Sequence, residues 1–253
     1  MARKTDAKPR DLHTGAALLW SAYEEPTHSP KSGLTITGIT TAAVARADAD
    51  GLEAVSMNKV AAEFGVSGMA LYRHIPGKTE LIELMVEAVL TVKPELPESE
   101  AGWRAQLLVW ARQLLAIYRA HPWLLAATAM RRQLMGPHQL HWMDAALAAL
   151  ESTGLQAAER HQIFLLIAGH VRNLAQQHAD FDADHEREWQ QLTVELVDRH
   201  AEHFPALAKT LTDTTTPIDP LTFGLDRIFD GVQTLIDHAD VSPSASAAAT
   251  ATS

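Results

Sequence analysis

The stretch from Ser56 to Tyr72 is where residue types and spacing could do chemistry. Ser56-Met57-Asn58-Lys59-Val60-Ala61-Ala62-Glu63-Phe64 reads as a short helix opened by a capping serine, with Val60, Ala61 and Phe64 facing inward. Gly65 stops it. Ser67 is placed to cap a second short helix that runs through Leu71 and Tyr72 to about Ile75, before Pro76-Gly77 turns the chain again. Two short helices around a glycine-containing turn of about 3–4 residues make a helix-turn-helix. In that motif the second helix enters the DNA major groove by its N-terminal residues and the first crosses the backbone. Ser67, Gly68 and Ala70 are small enough to approach base edges, and Met69 offers apolar contact to a thymine methyl. Tyr72, His74 and Lys78 supply phosphate donors, and Lys78 opens a further helix whose free N–H groups could add an anion site. A plain helical hairpin in a bundle would use the same glycine and caps, and the segment is not strongly basic. Spacing alone leaves the two readings level.

A second candidate site lies in the back half, where Trp110, Met130, Trp142 and Phe164 supply aromatic and thioether surface beside the polar His170 and Asn173. Such a set would line a pocket for a small apolar or aromatic molecule, though any one of these residues could equally be core. Asn173 is the hardest of them to explain as core. The 13 histidines invite a metal reading, with His170, His178, Asp182, Asp184 and His185 close in sequence and His138 and His141 on one helix face. No zinc-protease-like helix motif accompanies them, so neither metal nor cofactor is expected. Nucleophile elbow, P-loop, GxGxxG and kinase motifs are all missing, and no catalytic residue is assigned.

The elements that must position these residues read as all-α, because apolar residues recur at three- and four-residue steps with no convincing series of alternating strands. Leu12 to Tyr23 could form a short helix before Pro26. Ile36, Ile39, Ala43 and Ala47 mark a helix from Thr35 to Asp50-Gly51, and Leu81, Met85, Ala88, Val89 and Val92 mark one closed by Pro94 and Pro97. Longer helices follow. Their stripes are Trp103, Leu107, Trp110, Leu114 and Ile117; then Leu140, Met143, Leu147 and Leu150; then Ile163, Ile167, His170, Val171 and Leu174 over 157–179. A short helix is expected from Trp123 to about Leu134, and another from about Glu186 to Phe204 carrying Trp189, Leu192 and Leu196. The last carries Leu225, Ile228, Val232 and Leu235. The division expected is an N-terminal extension at 1–33, a three-helix head at 34–92, a larger helical domain at 93–240 and a disordered tail at 241–253.

The 253 residues carry a formal net charge of −10, which at first argues against DNA. Residues 1–91 hold nine basic and eleven acidic residues, so most of the negative charge belongs to the back domain. Cysteine is absent, which excludes disulfides, thiolate zinc sites and cysteine nucleophiles and suits a reducing cytoplasm. No apolar run is long enough to span a membrane.

Leu34-Thr35-Ile36-Thr37, Ala47-Asp48-Ala49-Asp50-Gly51-Leu52-Glu53-Ala54-Val55-Ser56-Met57, Val60-Ala61-Ala62-Glu63-Phe64-Gly65-Val66 and Leu71-Tyr72-Arg73-His74-Ile75-Pro76-Gly77-Lys78 closely resemble the DNA-binding head of the tetracycline-repressor family. The Ala120-His121-Pro122-Trp123 break and the run Phe223 to Gly231 resemble the family's ligand and dimerisation domain. The resemblance implies a homodimer that represses transcription at a palindromic double-stranded operator and releases it when a small-molecule effector binds. It places Ser56 and Asn58 where the first helix meets the backbone and one base, Ser67, Gly68, Met69 and Ala70 in the recognition helix, and Tyr72, His74 and Lys78 on phosphates. Asn58 stands where the founding repressor has arginine, and asparagine favours adenine over guanine. An all-α enzyme and a ligand-independent DNA-binding module are the competing readings.

Overall fold

The computed structural model describes residues 11–24, 34–129, 134–178, 183–212 and 218–241, and among these every regular element is helical. The basic residues Arg3, Lys4, Lys8 and Arg10 and the expected tail from 242 onward lie outside the described residues, as does Met130.

Helix α2 (Ile36–Asp50) starts where the Thr35 hydroxyl accepts the Gly38 N–H at 2.9 Å. Helices α3 (Met57–Glu63) and α4 (Gly68–Leu71) are too short to persist alone. A shared core holds them: Ile39, Ala43, Val60, Ala61, Leu71, Ile75, Leu81 and Met85 are all fully buried. Burying each large aliphatic side chain contributes about 1.5–3 kcal/mol. The recognition helix is shorter than the spacing predicts. It ends at Leu71, and the N–H groups of both His74 and Ile75 return to the Leu71 carbonyl at 2.9 Å. Ile75 precedes Pro76, which steers it away from helical backbone angles.

Helix α5 (Lys78–Val89) is buried continuously from Leu81 to Glu87, with α2 on one side and α1 (Leu12–Glu24), α7 (Leu124–Thr128) and α8 (Pro137–Ala148) against the others. The expected stripe through Ala88 and Val92 is therefore corrected: Ala88 is exposed, and Val92 lies beyond the helix end and is 72% exposed. The Leu90 and Val92 carbonyls, freed by that ending, accept the Trp142 indole N–H at 3.2 and 3.1 Å. The N-terminal extension reaches this seam too, since α1 packs on α5 and α8 with Leu19 buried.

In the back domain α6 (Gly102–Ala120) and α12 (Pro220–Val241) both pack along α9 (Ala157–His178). Leu107, Ile167, Val171 and Leu225 are fully buried between them. The α7 helix stops at Thr128, short of the expected Leu134. In α8 the buried face is set by Trp142 and Ala146 rather than by Leu140 and Met143, because Trp142 is drawn into the junction by its two carbonyl acceptors. Helix α10 (Ala183–Arg199) ends earlier than Phe204, and a further helix α11 (Pro205–Thr212) packs against it. Its periodic residues Trp189, Leu192 and Leu196 point outward, as α10 has little of this chain to cover them besides α11.

Candidate nucleic-acid interface

Ser56 sits at the N-cap of α3, where its hydroxyl accepts the Lys59 N–H at 3.3 Å, so that oxygen is committed to the helix. Gly65 turns the chain at φ +67°, and the Gly65 and Val66 N–H groups close α3 onto the carbonyls of Ala62 and Ala61. Ser67 occupies the N-cap position of α4 but makes no side-chain capping bond, contrary to expectation; it stays exposed. Beyond it, Met69 is 72% exposed, the most open apolar residue of the head outside Val92. Ala70 is half-buried, and Tyr72, His74 and Lys78 are exposed while Leu71 and Ile75 anchor the turn.

Asn58 is exposed on the first turn of α3, with its carboxamide over Gly68. A Cβ on Gly68 would stand 2.0 Å from Asn58 Oδ1 but 3.6 Å from its Cα, so a side chain there would displace the Asn58 carboxamide rather than the helix. Arg73 and Lys59 are exposed among these residues as well. Both are cations beside assigned positions, and that charge was the sequence signal that could have found them.

The expected anion site at the start of α5 has an acidic neighbour. The Glu80 carboxylate lies near Gly77, 2.9 Å from where a Cβ would stand, so a negative side chain is close to that helix start. Other acidic groups of the head are turned aside. Glu63 accepts from Arg46 Nε at 2.7 Å, and Glu83 and Glu87 are buried against the back domain. Asp48, Asp50 and Glu53 line a concavity of about 620 Å³ at the seam with Trp123, Leu125 and Arg172. The face carrying Met69, Tyr72, Arg73, His74 and Lys78 thus presents one apolar, one phenolic and several basic side chains.

Three carboxylates of this head reach the back domain. Trp123 Nε1–H donates to Asp48 Oδ1 at 2.7 Å, and His121 Nδ1 lies 2.7 Å from the same oxygen. Glu83 accepts the Leu134 N–H at 2.8 Å. Glu87 accepts the His138 and Gln139 N–H groups at 2.7 and 3.1 Å, capping the first turn of α8 from another helix.

In the back domain the structure brings Trp110, Trp142 and Phe164 together, with ring centroids 6.1 and 5.9 Å from Trp110. Trp110 is 1% exposed and its indole N–H donates to the Trp142 carbonyl at 2.8 Å, which explains why so polar a tip tolerates burial. His170 lies apart, packed against Gly224 of α12, with Nε2 buried and unpaired. Asn173, expected to line a pocket with these aromatic residues, does not join them. It is exposed, accepts from Gln177 Nε2 at 3.0 Å, and borders an open concavity with Gly169, Arg172 and Gln176. No group of three or more His, Cys, Asp or Glu that could hold a metal ion occurs among the described residues. Nor is any helix among them long and apolar enough to cross a membrane.

Comparison with known proteins gives matches at both ends of the chain. Residues 39–85 match the family described as bacterial regulatory proteins, tetR family, and residues 96–236 match the tetracyclin repressor-like C-terminal domain. The HTH-type transcriptional repressor DrrR1 of Streptomyces coeruleorubidus is 35% identical over 237 residues, spanning 89% of this chain and 87% of the relative. Apo ActR of Streptomyces coelicolor superposes with a TM-score of 0.69 at 27% identity, over 83% of this chain and all of that one (100%). ActR in complex with actinorhodin gives a TM-score of 0.66 at 26% identity, over 79% of this chain and 96% of the other.

Proposed function

Because the chain belongs to the tetR family of bacterial regulatory proteins, we propose that it is a ligand-responsive repressor that binds a palindromic operator through α3 and α4 and releases it when a small apolar or aromatic molecule enters the back domain. The observation that carries this reading is the open N-terminal end of α4, where Met69 projects between small residues while buried Leu71 and Ile75 fix the helix beneath it. Ser67, Gly68, Met69, Ala70 and Asn58 meet base edges; Tyr72, His74 and Lys78 grip phosphates, and the exposed cations Lys59 and Arg73 stand beside them. Ser56 acts through its cap, holding the start of α3 in place.

Two copies are needed to read a palindrome, with half-sites about 34–36 Å apart or a multiple of that. The exposed apolar residues Leu165 and Leu166 on α9 and Phe223 and Leu235 on α12 support a four-helix contact between copies of this chain. The effector reading draws on the actinorhodin complex of ActR. The Trp110, Trp142 and Phe164 cluster supplies aromatic surface of the kind a comparable molecule would lodge against, and His170, packed on Gly224 of α12, stands apart from it. Release follows from linkage: an effector that prefers a head spacing unsuited to the operator weakens DNA binding, and DNA weakens the effector by the same factor.

The reading places the protein in the cytoplasm, with DNA and effector as its partners and no chemistry of its own. Its test is selection of bound duplexes from random sequence with the purified full chain, repeated with Tyr72→Ala and Lys78→Ala. A two-fold palindrome enriched by the wild type and weakened in both variants is expected; the absence of any enriched palindrome sinks the proposal.

A further inference from the structure

The geometry points to a second small-molecule site, between α1 and α8, that takes a planar aromatic cation. It lies apart from the Trp110, Trp142 and Phe164 surface, and it stands whether or not α3 and α4 bind DNA.

Residues three or four apart on a helix share a face. On α1, Trp20 and Tyr23 form such a pair, 45% and 41% exposed. On α8, Leu140, Met143, Asp144 and Leu147 form one stripe, and none of them is buried. The two faces meet across a cavity of about 470 Å³ that these six residues line. A space of that size suits a small organic molecule. Trp142 and Ala146 occupy the buried face of α8, so the cavity lies on a different side of the helix from the back-domain aromatic cluster.

One wall is set before anything binds. Leu19 is buried and anchors α1, which packs on both α5 and α8. The Tyr23 ring meets the rings of His138 and His141, with centroids 5.2 and 5.8 Å apart. Trp20 is the second aromatic wall, and Leu140, Met143 and Leu147 form an apolar floor for a flat ring system. Asp144 sets the charge of the occupant. It is exposed, makes no hydrogen bond or ion pair among the described residues, and shares the cavity with no lysine or arginine among them. A carboxylate in one cavity with an indole and a phenol favours a cation, which the ring faces attract as well. Such a molecule touches α1 and α8 at once, so its binding steadies the N-terminal extension on the body.

The test uses the full chain without DNA and two probes: 9-aminoacridine, cationic at neutral pH, and acridone, an uncharged molecule of the same three-ring shape. Fluorescence anisotropy measures the affinity of each for wild type, Asp144→Asn, Trp20→Ala and Phe164→Leu. Wild type should bind the cation more tightly than acridone. Asp144→Asn should weaken the cation roughly two- to fivefold, the range of an exposed ion pair, and leave acridone unchanged. Trp20→Ala should weaken both probes, the cation by roughly five- to tenfold. Bound 9-aminoacridine should slow amide hydrogen exchange in α1, and Phe164→Leu should alter neither affinity. Asp144 is exposed and unpaired, so its variant carries the test even if Trp20→Ala fails to fold. Equal losses for both probes in Asp144→Asn refute the charge selection. Binding that Phe164→Leu weakens while α1 exchange stays unchanged puts the probe at the other aromatic surface and overturns this site with the effector reading intact. Binding of neither probe means that another part of the assembly, such as a second copy, closes the cavity, and overturns the site as well.

Discussion

Replacing Glu87 with glutamine tests whether a carboxylate on α5 holds the start of α8. The side chain is 8% exposed and accepts two backbone N–H groups of the first α8 turn, His138 at 2.7 Å and Gln139 at 3.1 Å. His138 Nδ1 lies 3.3 Å from the same Oε2, though not aligned as a hydrogen bond. A hydrogen bond to a buried charged group contributes about 1.5–3 kcal/mol. An anion at a partly buried helix N-terminus adds up to about 2 kcal/mol. Glutamine keeps the shape and one oxygen, so it can retain one of the two bonds; its amide nitrogen then faces a second N–H donor. One charge-assisted bond and most of the charge–dipole attraction are lost, for an expected destabilisation of about 2–4 kcal/mol. Urea unfolding at fixed protein concentration should show a lower midpoint at unchanged slope. A shift worth less than about 0.5 kcal/mol, the level of an ordinary surface substitution, refutes the cap.

Asp48→Asn removes the charge that accepts from Trp123 and faces His121, so the head should turn more freely on the back domain. Effector titration against operator-bound protein should then show weaker release while affinity for the operator alone changes less; unchanged release would show that Asp48 transmits nothing. Lys78→Ala should flatten the dependence of log affinity on log salt by about one unit for each half-site, read by binding titrations over a salt series, because a phosphate contact releases about one counterion. An unchanged slope removes Lys78 from the phosphate grip. Asp230 on α12 is held below its ordinary value of 3.8 by hydrogen bonds from Arg227 and Arg104. A lowered carboxyl contributes stability that is full above the unfolded value and fades as pH drops through the folded one, so Asp230→Asn should lose its deficit against wild type below about pH 4. Stability curves that stay parallel down to pH 2 contradict that linkage.

Helix period, caps and glycine stops made most of the architecture legible from residues alone. Thr35, Ser56 and Gly51 act at helix ends where their chemistry says they should. What periodicity could not show is which neighbour covers a face. Leu81 to Glu87 look like one stripe with two stray acids, yet all seven are buried, because partners from two domains close on α5 from every side. Trp189, Leu192 and Leu196 have an impeccable apolar spacing and remain outside. Asn173 misled for the opposite reason: a polar residue within an apolar helix looked like a pocket group, but it stands on the outer face with Gln177. At the interface, residue size suggested that Gly68 served the groove directly; only the structure shows that the Asn58 carboxamide lies over it. Glu80 beside Gly77 is equally invisible to a motif, since a helix-start anion site looks the same in sequence whether or not a carboxylate of the chain lies near it.

The two carboxylates of α5 also bear on how freely such a protein can be recombined. A chimera that grafted this head, cut after Val92, onto another relative's body would carry Glu83 and Glu87 into a foreign seam. Where the new body did not offer N–H donors at the same places, each would lose bonds it makes here, at a cost of several kcal/mol. It would also strip α8 of its cap and Trp142 of the Leu90 and Val92 carbonyls. Swapping operator preference between relatives is therefore better done by exchanging only residues 56–75, upstream of α5, and leaving the shared helix with the body it is fitted to.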